Sequence, residues 1–133
     1  MTQEQLNKII ENHQHYLNED IDGWESMRAD LSYKNLSGLN LRNANLHEAK
    51  LSSANLRDAD FREANLSNAD LRNANLREAN LFRANLKDAN LFGVNLKNAN
   101  ISYAKINANT KIDYPIACPE TGSFIGYKKA GYE

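Results

Sequence analysis

The sequence predicts an all-β solenoid, and three observations carry that expectation. An apolar residue recurs at every fifth position from Leu31 to Ile106, sixteen times without a miss. Ala stands two residues before it in thirteen of the sixteen units, the exceptions being Lys34, Leu39 and Val94. Asn or Asp stands directly before it in fourteen, the exceptions being Lys50 and Lys105. We term the recurring apolar residue the centre of its unit. The centres are Leu31, Leu36, Leu41, Leu46, Leu51, Leu56, Phe61, Leu66, Leu71, Leu76, Leu81, Leu86, Leu91, Leu96, Ile101 and Ile106.

A five-residue period fits no helix, because at roughly 100° per residue successive centres would lie about 140° apart and form no stripe. A long straight strand fails too. Five is odd, so successive centres would alternate between its two faces and half would meet water. The pattern is satisfied when each unit is a short extended piece followed by a turn that aims the next unit inward. The chain then winds around its own centres, which line a lumen with Ala beside them.

Before the repeats, residues 1–28 read as a capping helix and loop. Thr2 and Gln5 make a capping-box start, and Leu6, Ile9, Ile10, His13 and Tyr16 or Leu17 follow at helical spacing. A helix is predicted over about residues 3–17, then a loop through Glu19 to Gly23 ending near Trp24. Such a cover is needed, because a solenoid leaves an unpaired edge at each end. Trp24 and the irregular Leu39 of the first coil are placed to meet the helix's apolar face. Residues 29–108 form the repeat body. After Ile106 the register breaks, since position 111 is Lys and Ile112 comes one place late. Residues 109–133 are therefore expected to be a C-terminal cap or tail, with Cys118 to Lys128 reading as a Pro/Gly turn into a short strand.

The stretch Leu-Arg-Asn-Ala-Asn-Leu-Arg-Glu-Ala-Asn, Leu71 to Asn80, resembles the A-[DN]-L-X-X unit of the pentapeptide-repeat family, and the likeness covers residues 29–108. The resemblance implies a right-handed quadrilateral β-helix with four units to a coil, about four coils in all. At about 4.8 Å per coil this is a rod roughly 20 Å long. The segment Cys118-Pro119-Glu120-Thr121-Gly122-Ser123-Phe124-Ile125-Gly126-Tyr127-Lys128 resembles one that follows the repeats in some bacterial and phage-associated members. In those relatives the segment continues, whereas this chain ends five residues later, so the tail is expected to be cut short.

Composition excludes more functions than it suggests. Residues 1–28 carry −4, from Lys8 and Arg28 against Glu4, Glu11, Glu19, Asp20, Asp22 and Glu25, while residues 29–108 carry +3. Neither excess announces nucleic acid or an anionic membrane. No apolar run is long enough to span a bilayer, one cysteine makes no internal disulfide, and the N-terminus lacks a secretory leader, so the cytoplasm is the expected location. The sequons at Asn35, Asn65 and Asn100 arise wherever Ser follows the Asn-Leu core of the repeat.

No catalytic, cofactor or metal site is predicted. His13 and His15 point about 200° apart on a helix and cannot share a metal. His47 stands beside Glu48 with no nucleophile spaced to join them, and nothing local depresses the Cys118 thiol. If units four apart stack, Arg57, Arg77 and Lys97 form a basic column with Asp58 and Glu78 alongside. Phe82 and Phe92 occupy the normally polar position after a centre, on opposite walls. These five residues are the candidate partner contacts. The expected function is a non-enzymatic interaction or scaffold protein, a monomer or weak dimer that binds an unidentified protein and contacts neither nucleic acid nor membrane directly. The resemblance supplies an alternative, since some family members protect DNA gyrase by imitating duplex DNA. The repeat walls here lack the acidic excess that such mimicry needs.

Overall fold

The computed structural model describes residues 1–113. Cys118 and the segment that follows it lie outside them. Chain order is α1 (Gln3–Asn18), a 3-10 turn (Trp24–Met27), the coiled repeats, and a final strand pair, β1 (Asn90–Leu91) with β2 (Lys111–Ile112).

Helix α1 starts on a complete capping box. The Thr2 hydroxyl accepts from Gln5 N–H, and the Gln5 side chain accepts from Thr2 N–H. It ends on Glu19 in the left-handed conformation, φ 53°, whose N–H returns to the His15 carbonyl. Its inner face buries Leu6 and His13 and lays Ile9 and Ile10 against the core. Trp24 is half-buried, tilted against Tyr16 at 6.0 Å, and Leu39 packs partly buried at the core's margin.

The repeats are all parallel and all short. Each pairs with the position twenty residues on, Asp30 with Lys50, Asn35 with Asn55, Asn40 with Asp60 and Asn45 with Asn65, so four units close one coil. Almost every pairing is a single-residue bridge, so little of this β-solenoid is strand. The unit itself imposes this. From each centre the next three residues are occupied by a turn, as in Ala64 N–H to Phe61 O at 3.0 Å, leaving one ladder position per side.

Two features of that turn explain the sequence around the centre. The second residue after each centre from Leu31 to Ile101 has φ between 57° and 76°, in fifteen turns of which only Gly38 and Gly93 are glycine. A left-handed residue at the third place of a turn normally calls for Gly or Asn. The residue before the centre offsets this. In all fourteen units with Asn or Asp there, its side-chain oxygen accepts from the backbone N–H two residues on, as in Asp70 Oδ1 from Arg72 N–H and Asn80 Oδ1 from Phe82 N–H. These residues are ladder position and turn clamp at once.

Every centre from Leu31 to Ile101 is at most 2 % exposed, with Ala packed between them, and burying each contributes about 2 kcal/mol gross. Ile106, the last centre, is half-buried rather than enclosed and packs against the core. The coil also runs past Ala108. Through one extra residue Ile112 regains the register and lies over Leu91, paired in parallel. Thr110 takes the place Ala holds elsewhere, 2 % exposed, with its hydroxyl donating to the Leu86 carbonyl at 2.9 Å.

Candidate functional site

The walls carry whatever the rod presents to a partner, and their chemistry follows from the twenty-residue stacking. Asn55, Asn75 and Asn95 bridge in succession, so Arg57, Arg77 and Lys97 stand in one column. The column is partly neutralised. Arg57 Nη2 lies 3.2 Å from Glu78 Oε1 in the next coil, and Arg57 Nε lies 3.4 Å from Asp58. Arg77 is half-buried with its Nε unpartnered, and Lys97 is exposed; neither has a carboxylate partner among the described residues. On neighbouring walls Arg62 grips Asp60 and Arg72 grips Asp70, each at 2.6 Å. The arginine hydrogen bonds hold both carboxyls below their ordinary range.

The aromatic side chains divide differently from the sequence-based expectation. Phe82 and Phe92 stand two sides apart in the coil, but Phe82 is only half-buried rather than open. Tyr103 packs edge-to-face on it from the next coil, centroids 5.8 Å apart at 81°, and the Arg83 guanidinium lies 5.0 Å from its centroid. Tyr103 itself is 74 % exposed. It borders an open groove of about 620 Å³ lined by Glu63, Arg83, Asn65, Asn85 and Lys105. Neither Arg83 nor Lys105 has a carboxylate partner among the described residues. Phe92 is 59 % exposed and makes no ring contact among the described residues.

The N-terminal end holds a polar cluster around His13. His13 is fully buried, its Nδ1 accepting from Ala29 N–H at 2.9 Å and its Nε2 2.8 Å from the His47 carbonyl. These partners fix the neutral tautomer with the proton on Nε2, and burial lowers the imidazole's affinity for a second proton. Tyr16 stacks on its ring at 5.4 Å and donates to Glu48 Oε2, while Arg28 Nε donates to the Glu48 carbonyl.

Contrary to the expectation that no nucleophile accompanies His47, stacking brings Ser67 to it, Oγ 2.8 Å from Nδ1, with Glu48 Oε1 3.7 Å from Nε2. The twenty-residue spacing from 47 to 67 was the signal for this contact. The trio is poorly built for acyl transfer. The Ser67 hydroxyl is engaged at 2.6 Å by Asn65 Oδ1, and its own N–H and that of Glu48 are committed to Asn65 Oδ1 and Ser67 O, leaving neither as an oxyanion donor. His15 pairs with Asp20, and no group of three or more metal-ligating side chains occurs among the described residues.

A family model for pentapeptide repeats (8 copies) matches residues 28–58, 59–98 and 74–107, more than half of the chain. The chain belongs to the pentapeptide repeat family. Its members fold as right-handed quadrilateral β-helices, which supplies the hand of the coil described above, and are generally non-enzymatic structural or interaction proteins. Among solved structures, a pentapeptide repeat protein from the Arabidopsis thaliana thylakoid lumen is 38 % identical, with a TM-score of 0.62 over 64 % of this chain and 59 % of that one. QnrB1, a plasmid-mediated fluoroquinolone resistance protein, is 21 % identical with a TM-score of 0.51 over 64 % of this chain and 56 % of its own, a likeness of fold. Rfr23 from the cyanobacterium Cyanothece 51142 is 40 % identical over 65 % of this chain and 62 % of that one, with a TM-score of 0.35. The chain thus spans about three fifths of the length of these relatives. No curated protein matches it. Among the described residues, no helix is long and apolar enough to cross a membrane.

Proposed function

We propose that this pentapeptide repeat protein is a non-enzymatic interaction scaffold. On this reading residues 1–28 cap a rod of about four coils whose repeats span residues 29–108, and residues 109–133, which begin by pairing Ile112 beside Leu91, form a C-terminal cap or tail. The proposed partner is a protein, met in the cytoplasm. The observation that supports this most is the Tyr103 edge. An exposed aromatic ring is held on a rigid wall by Phe82 and lines one groove with Glu63 and two cations, Arg83 and Lys105, that lack carboxylate partners among the described residues. Rigid aromatic anchors beside unpaired charge are what binding hot spots use. The committed carboxylates and arginines elsewhere argue against duplex mimicry, because a mimic needs a continuous acidic stripe and the walls alternate in sign.

The test is capture of partners from a lysate of the source cells by the wild-type chain, by Phe82→Ala/Tyr103→Ala and by Phe92→Ala. The double variant should lose a partner that Phe92→Ala retains, at an unchanged far-ultraviolet spectrum. Equal recovery by all three would remove the Tyr103 edge as the contact.

A further inference from the structure

In the body of the rod an Asx position is paired above by two groups of the preceding coil. Asp60 N–H donates to the Leu39 carbonyl at 3.0 Å, and the Asp60 carbonyl accepts from Leu41 N–H at 2.8 Å. The first coil has no coil before it, yet Asn40 keeps both bonds. Its N–H donates to Gln3 Oε1 and its carbonyl accepts from Gln3 Nε2, each at 2.8 Å. The same substitution occurs at His47. The equivalent carbonyl one coil on, Ser67 O, takes the Glu48 N–H at 3.0 Å, whereas His47 O takes the His13 Nε2–H. Two side chains of α1 therefore stand where the backbone of a preceding coil would stand. Beneath α1 lies an edge whose hydrogen-bonding groups are complementary to a further coil of this same chain.

One of the two substitutes is titratable. A second proton on His13 would set a donor at Nδ1 against the Ala29 N–H, 2.9 Å away, inside a site with no exposure to water. The ionisable groups facing the ring are Tyr16 from its own helix, Arg28 after the 3-10 turn, and His47 and Glu48 from the fourth unit. Burial opposes the added proton most, with the Arg28 and His47 charges on its side, while the hydrogen bond to the His47 carbonyl and the Glu48 carboxylate favour it.

We propose that the N-terminal edge of the first coil is a docking surface for a second copy of this chain, kept shut by α1 through His13 and opened by acid. The occupant follows from the edge itself, because in every lower coil the matching groups are filled by another coil of this sequence. Exposed ladder edges recruit such partners readily. Head-to-head docking would close a dimer, and head-to-tail docking would extend a filament.

The test uses the full chain and the emission of Trp24, its only tryptophan, which touches Tyr16 of α1. Between pH 8 and pH 4 the wild type should change in Trp24 emission with a midpoint below 6.5, the ordinary histidine value, and sediment as a dimer or larger on the acid side. Its far-ultraviolet spectrum should keep the coil signal. His13→Gln, whose amide can accept from Ala29 and donate to His47 but does not titrate, should stay monomeric with a flat emission profile across that range. Gln3→Ala/His13→Ala should associate already at neutral pH. An emission change without association, association of His13→Gln at the same pH, or loss of the coil signal together with the emission change would each overturn the proposal.

Discussion

In the middle of the rod Asn80 is paired by the backbone of the coil before it, its N–H to Ala59 O and its carbonyl to Phe61 N–H, and the twelve units after the first coil repeat the arrangement. At the N-terminal edge the same two groups of Asn40 are paired by one glutamine side chain, and His47 O by one histidine. The middle is held by repetition, so each clamp or ladder bond has many equivalents. The end is held by single side chains without equivalents. A loss of given size should therefore spread through the rod in the middle and stay local at the cap.

The largest effect tests the middle. Leu71 is fully buried at the lumen, so Leu71→Asp should abolish the cooperative thermal transition at neutral pH, because a carboxylate unpaired there costs a large part of a typical stability of about 5–15 kcal/mol. Arg72→Ala, one residue away on the outside, should leave the midpoint within about 0.5 kcal/mol of wild type, as an exposed ion pair contributes little. Equal midpoints for the two would break the assignment of inside and outside.

Next comes the cap. His13→Ala leaves the Ala29 N–H and the His47 carbonyl without their partner and should cost about 2–4 kcal/mol by chemical denaturation. Its pH dependence has a definite sign. The folded state holds neutral His13, whose proton affinity burial depresses, so unfolding takes up a proton below the ordinary value of 6.5. The His13 contribution is complete above pH 6.5 and fades as pH falls through the lowered folded value. The lowered Asp60 and Asp70 carboxyls add a second loss that begins only below about 3.8. His13→Gln should erase the first loss and leave the second, as read from midpoints between pH 7 and pH 3.

How much was legible in the sequence follows the same division. Leu71, Phe61 and their equivalents could be placed because one residue in five must face inward whatever the coil's size. The N-terminal helix and its capping box were also local signals. Tyr103 on Phe82 and Ser67 on His47 were not local. They meet across 21 and 20 residues, and recognising them required using the four-unit coil to pair positions, which the sequence reading applied to the charged column and to Phe82 and Phe92 but not to these two pairs. Gln3 gave no signal at all, since a polar residue in the first turn of a helix normally faces water. The Asn/Asp preference was visible as a pattern, but its cause, a side chain clamping the turn that follows, appears only in the hydrogen bonds.

That cause makes the next smaller prediction. Asn75→Ala removes the acceptor for Arg77 N–H and should cost about 1 kcal/mol, whereas Lys50→Asn installs the clamp in a unit that lacks it and should gain about 0.5–1 kcal/mol. The smallest difference lies at the left-handed turn position. Ser53, φ 57°, should tolerate Gly at no loss and reject Val by about 1–2 kcal/mol, both measured as shifts in denaturation midpoint.

Backbone amide exchange in the first coil tests most directly whether side chains stand in for a missing coil. Ala29 and Asn40 donate to His13 and Gln3, while the Asn35 and Asn45 amides on the same edge have no hydrogen-bond acceptor among the described residues. At neutral pH Ala29 and Asn40 should be protected well above Asn35 and Asn45, and Gln3→Ala should bring Asn40 alone down to their level. Uniform exchange of the four amides, or protection of Asn40 that survives Gln3→Ala, would contradict the account.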